Sequence, residues 1–232
     1  MWKSTVAGQA LHFRLAGINN QNFIMRDEET GSWWQQVSGK AILGSMKGQQ
    51  LPMVECDEVT YLVWKKERPS GLTLLPDPRF KEKYVPADWE LRMASNPTVT
   101  PTNSSDPLKP RDLVVGLSYQ GVSKAYPMGR LLKFNPVVDV LGSKPILIVV
   151  GSDGRSVRSF ERTVDGRTLD LFRKTESGVL RMFDSQTGSE WDFSGKATSG
   201  EYAGKSLPRV TAFKDYWFDW KMYHPGTLVF AR

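Results

Sequence analysis

The sequence predicts a mainly β fold with a few short helices, built as tandem related β units, and three observations carry that expectation. Most apolar runs are short and are punctuated by Gly, Pro, Asn or Asp, the pattern of an antiparallel β protein. One phrase occurs twice: Asp27-Glu28-Glu29-Thr30-Gly31-Ser32-Trp33-Trp34 returns as Asp184-Ser185-Gln186-Thr187-Gly188-Ser189-Glu190-Trp191. Between the repeats, Pro97, Pro101, Pro107 and Pro110 fall in a stretch that cannot propagate regular structure, because proline fixes φ and removes a ladder donor. The expected organisation is a first unit with a following helical segment at 1–95, a linker or loop at 96–110, and a second unit at 111–232.

The repeat extends past the turn. Ser38-Gly39-Lys40-Ala41, Gly44, Gly48 and Leu51-Pro52 match Ser194-Gly195-Lys196-Ala197, Gly200, Gly204 and Leu207-Pro208, and Val37 has no partner. Trp64-Lys65, Pro69 and Leu72 then match Trp220-Lys221, Pro225 and Leu228. Within the turn, Asp27 and Asp184 are placed to accept backbone N–H bonds, and Thr30-Gly31 and Thr187-Gly188 close it with a glycine free to take positive φ. This is the grammar of a type I turn followed by a bulge. Trp34 and Trp191 enter the returning strand as core anchors, and Trp33, one residue earlier, should face the other way.

The remaining elements follow in order. Helices are expected at about 81–93 and 214–223, the second stopped by His224-Pro225-Gly226. Val114 to Tyr119 and Val122 to Tyr126 read as a hairpin across Gln120-Gly121. Ile146-Leu147-Ile148-Val149-Val150 is continuously apolar and too short for a helix, which predicts a central strand buried on both faces. Leu169 to Arg173, Val179 to Phe183 and Thr227 to Phe230 are further strands. Met25, Trp34, Leu51, Met182, Trp191, Leu207 and Trp220 are expected to be mostly buried.

Composition narrows the function classes. The 232 residues are 40% hydrophobic, enough for one good core or two small ones. No apolar run approaches the ~20 residues that span a bilayer, and Met1 to Val6 has no secretion-signal character. One cysteine, Cys56, rules out an internal disulfide framework. A formal charge of +6 favours anionic surroundings: lipid headgroups or an acidic protein face. Nucleic acid is an unlikely partner on this reading, since no recognisable binding module accompanies the charge.

Residues 112–231 resemble, block by block, the bacterial and archaeal family known as domain of unknown function 3179. Val114-Val115-Gly116 and Ala125-Tyr126-Pro127 match its first block, Met182 to Leu207 its later one, and Trp217, Trp220, His224-Pro225 and Thr227 its close. Residues 6–75 resemble only the later half, which implies one complete degenerate copy preceded by a truncated one. The resemblance also implies a Cys-Pro-Leu-Cys block with a nearby histidine, a cluster suited to a soft metal or thiol redox chemistry. Here Gly151-Ser152-Asp153-Gly154 stands at the cysteine block and Asn135 at the histidine, so Asn135, Gly151 and Gly154 mark a lost site. Many relatives are exported, which implies the extracytoplasmic face of a membrane; a chain without a leader implies the cytoplasm.

No replacement chemistry is legible. His12 sits in an alternating stretch as a surface or edge residue, and His224 precedes Pro225 where it can cap a helix end. Cys56 lies among Glu55, Asp57 and Glu58, whose charges oppose a thiolate. Gly151 to Gly154 reads as a hairpin turn. The expectation is therefore no catalytic residue, no metal ligand and no cofactor, and a non-catalytic interaction module: an accessory or extrinsic subunit of a larger assembly, with a membrane-associated redox or energy-converting complex as host. Trp33, Trp2, Tyr119, Arg155 and Arg158 are the candidate interface residues, of the types that anchor interfaces. A protein partner is expected, with contact to an anionic membrane surface. The alternatives are a metal-binding or thiol-redox enzyme, as the family block implies, and a carbohydrate-binding module using Trp33.

Overall fold

The structure, a computed structural model, describes residues 1–19, 22–98, 103, 105–174 and 180–231. It is mainly β with short helices, and the chain separates into two compact units. One comprises residues 1–56 with 219–225, the other 57–218 with 226–232.

In the first unit, Phe13–Asn19, Asn22–Asp27, Trp33–Gln35 and Lys40–Leu43 form a four-stranded antiparallel meander. Trp34 pairs with Met25 on one side and Ala41 on the other. The core under it is Val6, Leu11, Trp34, Ala41 and Leu51, with Trp2, Phe13, Met25 and Met46 at the edge. Met25 is half-buried rather than buried, because it lies at the margin of this small cluster.

In the second unit, Lys144–Val150 is an inner strand of a sheet ordered Arg209–Val210, Val157–Glu161, Lys144–Val150, Val137–Leu141. Its alternation explains the continuous apolar run. Ile146, Ile148 and Val150 enter one core with Tyr126, Leu131 and Phe230, while Leu147 and Val149 enter another with Phe160, Met182 and Trp191. A second sheet joins Phe213–Tyr216, Leu113–Tyr119, Val122–Pro127 and the parallel Leu228–Val229. Its hairpin turns at Gln120 and Gly121, both with positive φ, as a two-residue turn with native strand twist requires. A third sheet is the meander Leu171–Arg173, Arg181–Asp184, Glu190–Asp192, Ala197–Ser199.

Helices Tyr61–Glu67 and Met128–Phe134 were not expected, and both expected helices differ from expectation. The first expected helix is broken into a 3-10 turn at Pro78–Lys83 and a helix at Trp89–Ser95, since Pro86 interrupts the stretch and biases Val85 away from helical backbone. The second begins only at Trp217, because Phe213–Tyr216 pairs with Leu113 to Gly116. The expected strand starting at Val179 is described from Arg181 onward, and Val179 lies outside the described residues. Of the proline-rich stretch, residues 99–102 and 104 also lie outside them.

Candidate functional site

The two turns share one set of carboxylate and hydroxyl hydrogen bonds. Asp27 is buried and its carboxylate accepts from Thr30 N at 2.5 Å, from Thr30 Oγ1 and from Trp34 Nε1 at 2.7 Å. Asp184 accepts from Thr187 N at 2.6 Å, from Thr187 Oγ1 and from Trp191 Nε1 at 2.8 Å. Thr30 and Ser32 pair through their hydroxyls at 2.7 Å, as do Thr187 and Ser189. The serine hydroxyls in turn accept Met46 N and Tyr202 N. A Cβ on Gly44 or Gly200 would stand within 2.7 Å of the Cα of Ser32 or Ser189, so the close approach demands glycine at both. For both aspartates burial acts to raise the carboxyl, and the hydrogen bonds from tryptophan, threonine and backbone outweigh it, holding each below the usual range. These are structural knots.

Asn135, Gly151 and Gly154, expected from the resemblance to mark a lost site, lie at the junction of helix Met128–Phe134, strand Lys144–Val150 and the turn that follows. Asn135 caps the helix, and its amide grips one backbone residue from both sides: Nδ2 donates to Val150 O at 2.7 Å and Oδ1 accepts from Val150 N at 2.9 Å. Gly151 N donates to Ser156 O at 2.8 Å, which closes a hairpin turn as expected. A Cβ on Gly151 would lie 3.1 Å from Asp153 Oδ1 and 3.3 Å from the Phe193 ring. Gly154 takes φ +66°.

Asp153 organises that turn. Its Oδ1 accepts from Arg155 N and Ser156 N, and its Oδ2 from Ser156 Oγ at 2.6 Å and Thr60 Oγ1 at 2.7 Å. Burial acts to raise this carboxyl, but the bonds from Ser156, Thr60 and Arg155 overcome it and hold it far below the usual carboxylate range. A carboxylate so saturated is a poor proton acceptor. A groove of about 570 Å³ opens beside the turn, lined among others by Thr60, Trp89, Met128, Gly154, Arg155 and Tyr216. Lys214 pairs with Glu58 at 3.0 Å within it.

The candidate interface residues are dispersed between the two units. Trp33 is exposed on the first meander, facing away from Trp34 as expected. Arg155 is exposed at the groove. Tyr119 is half-buried, with Lys144 Nζ 4.6 Å from its ring centroid. Trp2 is not a free platform: its ring covers Gly39, where a Cβ would meet it at 2.7 Å, and its Nε1 donates to Gln36 O at 2.7 Å. Phe160 covers Gly195 in the same way.

Arg158 is a correction. It is only 4% exposed, and its guanidinium forks onto both oxygens of Glu67 at 2.7 Å while Nε donates to Asp57 at 2.7 Å. The guanidinium carbon lies 4.7 Å from the Phe193 ring centroid. Its role is internal.

The two histidines are accounted for. His12 is exposed and pairs with Glu29 at 2.6 Å, a bond that raises its pKa. His224 stacks on Trp220 with ring centroids 3.5 Å apart, and its Nδ1 lies 3.1 Å from Trp220 O at the helix end; burial lowers its pKa. Among the described residues, no group of three or more His, Cys, Asp or Glu side chains is placed to hold a metal ion. Sequence reasoning missed the exposed leucines Leu72, Leu74 and Leu75, whose signal was apolar residues without either helical or strand period.

The family model described as "Protein of unknown function (DUF3179)" matches residues 1–227. The chain belongs to that family. One match therefore runs through both instances of the repeated phrase. No curated protein and no solved structure matches the chain.

Proposed function

We propose that this chain is a non-catalytic interaction module, an accessory or extrinsic subunit of a larger assembly on a membrane, built on an internally duplicated β framework. One observation carries the reading. At the place of the family's cysteine and histidine cluster, the amide of Asn135 is engaged on both polar groups of Val150, and Asp153 is filled by donors from Thr60, Arg155 and Ser156. Polar groups so matched give the fold rigidity, and both carboxylate oxygens of Asp153 are occupied by donors of the chain itself.

The matching hydrogen bonds of Asp27 and Asp184 support the duplication. The basic balance of +6 supports an anionic host surface, and a membrane-associated redox or energy-converting complex is the proposed host. The test is mild purification of the native chain followed by sizing and elemental analysis. A stoichiometric protein partner is the expected result. A monodisperse monomer without a partner, or stoichiometric copper, zinc or iron, overturns the reading.

A further inference from the structure

The first meander ends on an open edge. Phe13–Asn19 is its outer strand, seven residues long, and among the described residues it pairs only with Asn22–Asp27. Alternate N–H and C=O groups along its far side are left as a template for a further strand. Proteins blunt such edges by shortening them or by placing lysine or proline there, yet Phe13 to Asn19 contains neither of those residues. Its protection is a bulge between Leu15 and Gly17 and a single charge, Arg14.

That charge is set against its own kind. Arg14 stands directly opposite Arg26, and Arg26 opposite Trp33, on the face turned away from Trp34. Like charges so opposed destabilise a strand pair. Arg26 Nε donates to Gly31 O at 3.2 Å, and among the described residues neither guanidinium meets a carboxylate. The nearby acids are engaged elsewhere: Asp27 by Trp34 and Thr30, Glu29 by His12 and Asp219 by Asn22, while Glu28 is exposed in the turn beyond the strand end. The neighbouring row on the same face, Gly17, Ile24, Gln35 and Lys40, adds a cation and no acid. In the second meander Leu171 pairs with Asp184 as Phe13 pairs with Asp27, and the row at that register reads Phe172, Phe183 and Glu190, with the two phenyl rings stacked at 6.4 Å. A meander of this kind therefore has no need of the arginine pair.

On the other face, Leu15 pairs with Met25 and Ile18 with Phe23, in rows that continue the core side of Trp34. Leu15 and Ile18 are 61% and 64% exposed because the sheet stops there. An added strand would meet both faces at once, since its successive side chains point to opposite sides. A second copy of this edge does not fit: Phe13 to Asn19 holds no Asp or Glu and would bring another arginine. A bilayer has no backbone groups to pair with the edge. The bulge and Arg14 thus turn away a like edge and admit an acidic one.

We propose that the free edge of Phe13–Asn19 receives an extended segment of a partner protein as a further strand, with an acidic residue of that segment opposite Arg14 and apolar residues on the side of Leu15 and Ile18. Main-chain hydrogen bonds hold the segment, and the alternation of acid and apolar side chains selects it. The proposal rests on the interaction-module reading and names the surface and the partner chemistry.

The test is fluorescence anisotropy of a labelled synthetic peptide alternating glutamate and valine, added to the full chain. That peptide should bind, and one alternating lysine and valine should not. Methylating the backbone nitrogens of one residue type should abolish binding, and methylating those of the other should spare it, because only one edge of the peptide pairs. Arg14→Glu sets a carboxylate opposite Arg26, which favours the fold, so the variant should unfold no earlier than the parent. It should weaken the glutamate peptide about ten-fold and admit the lysine peptide. Failure of the glutamate peptide to bind, equal binding of both peptides, or indifference to Arg14→Glu or to methylation overturns the proposal. Arg14-dependent binding to phosphatidylglycerol vesicles in place of the peptide, or an Arg14-dependent dimer, overturns it as well and names the other occupant. Co-purification separates the two readings. A partner kept by the parent and lost by Arg14→Glu supports both; a partner kept by both chains sinks the edge and spares the module; no partner with either sinks the module and the edge with it.

Discussion

Trp191 and Asp184 are joined by a buried hydrogen bond, indole Nε1 to carboxylate Oδ2 at 2.8 Å, across the turn between strands Arg181–Asp184 and Glu190–Asp192. The same carboxylate holds Thr187 through backbone and hydroxyl, so one charged group sets the turn, the register and the orientation of the ring. Removing the indole donor leaves a buried carboxylate under-satisfied and also opens space. Trp191→Phe should therefore destabilise the protein by about 3 kcal/mol, combining a lost charge-assisted bond with a partial cavity. Asp184→Asn should cost about 2 kcal/mol. The double variant should cost less than the sum, because the two residues share one interaction. Urea unfolding of the four proteins checks this; strict additivity would show that the bond contributes nothing.

The acid side of the stability curve follows from the same carboxylates. Asp27, Asp153 and Asp184 all have folded-state pKa values below their unfolded ones. Groups of this sign contribute stability that is present above the unfolded value, near 3.9, and is lost as pH falls through the folded values. Stability should hold from neutrality to about pH 5 and fall steeply below about pH 4. Asp184→Asn should flatten that fall, since one linked proton is gone. Urea midpoints at neutral and acid pH measure it, and an equal acid loss in the variant would contradict the assignment.

Arg158 is an internal cation, forked on Glu67, bonded to Asp57 and only 4% exposed. Burial opposes its charge, and the two carboxylates outweigh burial, so its pKa is raised. Breaking such a pair from one side is costly because the partners keep their charge. Arg158→Ala should destabilise by about 3–5 kcal/mol, and Arg158→Lys should recover only part, since an ammonium cannot reproduce the planar fork. A loss under 1 kcal/mol for Arg158→Ala in chemical denaturation would mean that the cluster is incidental.

How much of this was legible depended on the range of the interaction. The burial of Trp34 and Trp191 could be read because the partner aspartates sit seven residues away within one phrase. The two-faced burial of residues 146–150 could be read from an apolar run too short for a helix. Arg158 could not, because its carboxylates lie 91 and 101 positions upstream and no local pattern links them. Trp2 looked like a surface aromatic for the same reason: the glycine it covers belongs to a later turn. The stretch 213–216 has helix-compatible residues, and only the free edge of Leu113–Tyr119 draws it into a sheet. Of the candidate site, Asn135, Gly151 and Gly154 were visible in the sequence as departures from the block the resemblance implies; the hydrogen bonds that fill that place were not.

Asn135 offers the most direct check on that filled place. Its amide matches the donor and acceptor of Val150 at 2.7 and 2.9 Å, and no other residue type supplies both groups at that reach except the longer glutamine. Asn135→Asp removes the donor and sets carboxylate oxygens against the Val150 carbonyl, so it should cost about 2–3 kcal/mol at neutral pH, and less in mild acid where the carboxyl can protonate. Asn135→Ala, which leaves both backbone groups unpaired without repulsion, should cost about 1–3 kcal/mol and show no such pH dependence. Asn135→His tests the functional reading alongside the structural one. An imidazole there should destabilise the fold by a similar amount and, with Gly151 and Gly154 unchanged, should not confer zinc binding in equilibrium dialysis. Tight zinc binding by that variant would show that the pocket retains ligands which the hydrogen-bonded turn was argued to have engaged.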